Sequence, residues 1–93
     1  MFTWTETEDK DIYENGKTVL WITGTRKAIQ NFVEVLSNEI GHKCDFSYIG
    51  GRAHIDVMAD GYEKAKVKVF DKKFIGKFVN KNIDDENYFE VLN

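Results

Sequence analysis

The sequence contains no proline, and its single cysteine, Cys44, can form no disulfide within the chain. The first absence leaves every helix and strand free to run without an imposed break. The second excludes a disulfide scaffold, and Cys44 sits in a strand-like pattern that suits a small buried thiol in a reducing compartment. No apolar run approaches the roughly 20 residues that a membrane span requires. The first six residues, Met1 to Glu6, show no basic stretch leading into an apolar one, so they do not read as a secretory signal. The glycine between a strand and a helix in "GTRKA" lacks both the GxxxxGK[ST] and the GxGxxG spacing. No serine lies in a nucleophile-elbow sequence, and neither histidine belongs to a recognised metal-ligand spacing. These absences exclude the commoner nucleotide-binding and hydrolytic classes. They leave the expectation of a non-enzymatic protein without cofactor, metal or catalytic residue.

What is present is one domain, residues 1–93, with an apolar fraction of 42 % and a net charge of −3. The charge is unevenly placed. Residues 1–16 carry −4, residues 17–81 carry +5, and residues 82–93 carry −4. Acidic ends flank a basic middle, an asymmetry that points to charged partners.

Along the chain, "TWTETEDKDIYENGK" alternates like a strand and closes on Asn15-Gly16, the preferred pair of a type I′ turn. This predicts an acidic edge strand that sets Glu14 opposite Lys17, Tyr13 opposite Thr18 and Ile12 opposite Val19. The next strand, "TVLWITG", is apolar on both faces and belongs in the middle of a sheet. Thr25 then caps a helix whose Ile29, Phe32, Val33, Leu36 and Ile40 form one stripe, and Gly41 stops it. Arg26 and Lys27 stand in the first turn of that helix, where cations oppose its dipole. A second hairpin turns at Gly50-Gly51 and pairs Tyr48 with Ala53, Phe46 with Ile55 and Cys44 with Val57 on its apolar face. Its other face pairs Ser47 with His54 and Asp45 with Asp56.

Residues 61–80 carry two patterns. Lys64, Lys66 and Lys68 alternate with small apolar residues as in a strand. Val67, Phe70, Phe74 and Phe78 fit one helical face over a longer window, and length favours the helix. "NYFEVLN" closes the chain as a short strand. The class is α+β, an antiparallel sheet with one or two helices on one face. With the helix at 61–80 the order is that of a ferredoxin-like plait preceded by the acidic edge strand. With the strand, a single helix packs on a bent sheet of five or six strands.

Three groups of residues invite a functional reading. Asp45, His54 and Asp56 share a face, but they lack a third strong ligand, and a polar sheet surface is the simpler account. Lys64, Lys66, Lys68, Lys72, Lys73, Lys77 and Lys81, with Asp71 alone against them, can neutralise phosphates. The helical stripe places the interleaved Phe residues in a core, and no arginine offers bidentate recognition. A nucleic-acid-binding module is therefore the alternative reading. The third group is acidic: Glu6, Glu8, Asp9, Asp11 and Glu14, with Asp84, Asp85, Glu86 and Glu90 at the other end. In a strand, carboxylates at i and i+2 stand roughly 6.5–7 Å apart, comparable with phosphate spacing along one DNA strand. If the two chain ends lie together, they form one negative surface. An acidic edge also protects a sheet against strand-to-strand association.

In size and in the clusters "TETEDKDIYEN" and "DDENYFE", the chain resembles small early proteins of T-even bacteriophages. Within that group it is similar to the Arn-type DNA-mimic anti-restriction proteins. The resemblance implies an inhibitor in the host cytoplasm that presents the nine carboxylates above to a DNA-binding host protein such as a restriction nuclease. A homodimer that joined basic or apolar surfaces would leave the acidic ends outward.

Overall fold

The computed structural model describes residues 10–92. Helix α1 (Lys10–Asn15) leads into β1 (Gly16–Gly24), α2 (Arg26–Ile40), β2 (Cys44–Ile49) and β3 (Arg52–Met58). A 3-10 turn at Ala59–Gly61 then opens α3 (Tyr62–Val69), which is followed by α4 (Lys72–Gly76) and β4 (Phe89–Val91). The strands form one sheet in the order β2-β3-β1-β4, and every neighbouring pair is antiparallel. From β1 onward this is the connectivity of the ferredoxin-like plait, with the second helix in two pieces.

Strand β1 is central, flanked by β3 and β4, as its two apolar faces require. A register shift between Thr18 and Leu20 lets Val19 and Leu20 both be buried. Helix α2 begins with the Thr25 side chain accepting from the Ala28 amide and ends at Gly41, whose φ of 70° places it in the left-handed region. The second hairpin has the expected register at all of its expected pairs. Gly50 and Gly51, at φ of 59° and 81°, supply the two positive angles that the turn demands.

One sheet face carries the core. Leu20, Ile22, Phe46, Ile55 and Phe89 meet Ile29, Phe32 and Leu36 of α2 and Ala65, Val69 and Phe74 of the α3–α4 layer. Phe32 anchors an aromatic cluster, with ring centroids 4.9 Å from Phe78 and 5.1 Å from Phe89. No helix among the described residues is long and apolar enough to cross a membrane.

Two expectations are corrected. Residues 10–15 form a helix, so the hairpin across Asn15-Gly16 does not exist; Lys17 and Thr18 pair with Val57 and Asp56 of β3. Gly16 has no positive φ. Its role is close approach, since a Cβ there would stand 2.4 Å from the Ile12 carbonyl oxygen. Ile12 is 1 % exposed, which gives α1 one firm apolar anchor, and Lys10–Glu14 adds an i,i+4 ion pair at 3.9 Å. The N-terminal part of the expected edge strand, with Glu6, Glu8 and Asp9, lies outside the described residues.

The second correction concerns residues 61–80. They are helical over Tyr62–Val69 and Lys72–Gly76, with a break at Phe70-Asp71, where the Asp71 side chain accepts from the Lys73 amide and starts α4. Residues 77–80 leave the helix, and Asn80 bridges to Phe89. The expected stripe therefore divides. Phe74 is buried, while Val67 and Phe70 are 72 % and 67 % exposed.

Candidate partner-binding surfaces

The acidic residues occupy two separate places. Asp11 and Glu14 project from α1, just before β1 begins, and both have a lysine near them: Lys43 at 3.9 Å and Lys10 at 3.9 Å. Asp84, Asp85 and Glu86 lie in the loop between α4 and β4, which docks at the other end of β1. The Thr25 amide donates to the Tyr88 carbonyl at 3.0 Å, and the Thr25 hydroxyl donates to the Glu86 carbonyl. Nine residues of β1 separate the two groups, a span of roughly 26 Å at about 3.3 Å per residue. The expected single negative surface is thus replaced, among the described residues, by two acidic ends.

The loop is internally tied. Amides of Asn82, Asp84 and Asn87 donate to the side-chain oxygens of Asn80, Asn82 and Asp85 at 3.0, 3.1 and 2.7 Å. These local turns explain why an Asn- and Asp-rich stretch adopts a defined path without regular structure. Glu86 pairs with Lys27 and so supplies an anion beside one of the two cations in the first turn of α2. Glu90, on β4, accepts from the Tyr88 hydroxyl at 2.7 Å. That carboxylate, first through the hydrogen bond, raises the Tyr88 pKa above its ordinary value.

Asp45, His54 and Asp56 sit on the sheet face away from the core, in the expected register. His54 Nδ1 lies 2.8 Å from Asp56 Oδ1, and the Thr18 hydroxyl donates to the same oxygen at 2.6 Å. The carboxylate acceptor requires the proton on Nδ1. The side chains of His54 and Asp56 are only 13 % and 15 % exposed, so this is a sheltered hydrogen-bonded cluster and not the solvated polar surface expected. Asp45 turns to the Phe46 amide at 2.8 Å, and no group of three or more ligating side chains among the described residues is arranged to hold a metal. The contribution of Thr18 escaped the sequence reading because the false hairpin paired it with Tyr13.

Cys44 and His42 lie apart from this cluster. Cys44 is half-buried, and its thiol reaches toward the His42 carbonyl at 3.8 Å. Burial is the main cause that pushes its pKa up from 9.0, which suppresses the nucleophilic thiolate. His42 stands 3.4 Å from the Asp60 carboxylate.

The lysine-rich helices are partly neutralised. Lys66 lies 3.8 Å from Glu63, and Lys68 lies 3.4 Å from Glu39. Lys66 and Lys17 approach the Tyr62 ring from 5.4 and 5.3 Å, and Lys68 and Lys77 approach Phe74. The exposure of Phe70 beside these lysines has no signal in the periodicity, because it follows from the helix break.

No family model, no curated protein and no solved structure matches the chain.

Proposed function

We propose that the protein is a non-enzymatic cytoplasmic inhibitor that presents its acidic ends to a DNA-binding partner, with a restriction nuclease as the expected class. The observation that carries this reading is the tied loop at 82–88, which holds exposed Asp84 and Glu86 beside half-buried Asp85. A backbone already ordered by local turns, with the Asp85 carboxylate fixed by the Asn87 amide, loses little freedom on binding. Strand β1, roughly 26 Å long, lies between this loop and α1, a length comparable with about seven or eight rises of 3.4 Å along a DNA strand. Two acidic ends at that separation can occupy phosphate positions at the two limits of a short DNA site. Immobilised protein should retain a partner from a host lysate after nuclease digestion, and duplex DNA should displace that partner. Retention that disappears on nuclease digestion would mean that nucleic acid forms the bridge, and the reading would be wrong.

One observation favours the nucleic-acid reading as a second possibility: Phe70, 67 % exposed, stands among lysines where a base can stack. Under that reading, binding is sequence-tolerant and weakens steeply with salt.

A further inference from the structure

Beneath the break between α3 and α4 lies a hollow of about 420 Å3 against the edge of the sheet. It has two causes. Strand β4 pairs only with Ile22–Gly24 of β1, so among the described residues the earlier half of β1 has no neighbour on that side. The break at Phe70-Asp71 then parts the helical layer above it. Leu20 and Val69, 3 % and 4 % exposed, form the floor, while Phe70 and Val79, 67 % and 37 % exposed, form walls. Ile75 and Val91 complete the apolar lining. The volume falls within the range of small-molecule sites.

The charged groups of the lining are Lys72, Lys81 and Glu90. Lys72 and Lys81 line the hollow, and neither side chain makes a hydrogen bond or ion pair with a described residue. Glu90, which also lines it, is held by the Tyr88 hydroxyl. A ligand with polar groups along its length would leave them unsatisfied against this floor, a costly arrangement. A nucleotide is disfavoured on that ground. A ligand with an unbranched apolar body and one anionic end meets both requirements.

We propose that this groove binds a monomeric fatty-acid-class anion, its chain against Leu20, Val69 and Ile75 and its carboxylate between Lys72 and Lys81. The test is a methyl-NMR titration with octanoate, decanoate and dodecanoate, each below its micellar concentration. Saturable shifts should centre on Val69, Ile75, Val79 and Val91. Affinity should rise about fourfold per added methylene, the equivalent of ~0.8 kcal/mol. The double variant Lys72→Gln/Lys81→Gln, checked for an unchanged melting temperature, should bind dodecanoate at least fivefold more weakly, and neutral dodecanol should bind both proteins alike. Absent or unsaturable shifts would overturn the proposal, as would shifts centred on another surface or equal dodecanoate affinity in the lysine variant. So would co-sedimentation with phosphatidylglycerol vesicles without binding of monomeric dodecanoate, since the surface would then recognise a membrane.

Discussion

Phe46 shows how a single pairing fixes the orientation of a whole hairpin. It is 2 % exposed, pairs with Ile55, and packs edge-on against Tyr48 at 5.7 Å. Because side chains alternate, its burial sends Asp45 and Ser47 to the other face. Phe46→Ala should cost ~3–5 kcal/mol of stability, read from the denaturation midpoint; an unchanged midpoint would contradict the packing. Cys44 makes a second prediction at this scale. Its pKa is raised in the folded state, so the stability tied to its protonated form is complete below its unfolded pKa. That contribution is lost as pH rises through the folded value. At pH 9 iodoacetamide should therefore modify the folded protein more slowly than the urea-unfolded chain, and equal rates would show an exposed thiolate. Both roles were legible in the sequence, since each residue lies in an alternating pattern whose partner strand confirms it.

Elements were legible where two independent patterns agreed, and misread where a local signal lacked such support. Helix α2 combines a cap, a stripe and a terminating glycine, and the Gly50-Gly51 hairpin combines a turn with two concordant faces. The Asn15-Gly16 hairpin had its turn preference and a polar alternation, but no second apolar face to agree with the first. Tertiary packing decided otherwise: residues 10–15 close a helical turn over buried Ile12, and Lys17 and Thr18 pair with β3. The α3–α4 break was hidden for a related reason: Asp71 is a good cap in the middle of what reads as one apolar stripe, and a stripe does not show where a helix restarts. Helix α1 depends on Ile12, so Ile12→Ala should cost roughly 2–5 kcal/mol. It should also abolish amide protection in α1 while the amides of β1 paired with β3 stay slow to exchange. Unchanged protection in α1 would mean that Ile12 is not its anchor.

At the scale of the molecule, the proposed function depends on the placement of charge. The sequence shows acidic ends and a basic middle, but not where the ends go, because that depends on the strand order. In the structure the length of β1 separates Asp11 and Glu14 from the 82–88 loop. The lysines of α3 and α4 lie in the helical layer, and two of them, Lys66 and Lys68, are paired with glutamates. The most direct test is the salt dependence of association between the captured partner and two variants. One carries Asp11→Asn, Glu14→Gln, Asp84→Asn, Asp85→Asn and Glu86→Gln, which keeps the side-chain oxygen that the Asp85 turn needs. The other carries Lys64→Gln, Lys72→Gln and Lys73→Gln. The account predicts that the acidic variant, still folded, associates slowly and with a flattened salt dependence, while the lysine variant binds as the parent does. Partner binding that survives in the acidic variant would contradict the account. So would a lysine variant that loses nucleic-acid affinity with a salt slope lowered by about 0.7–0.9 per contact removed.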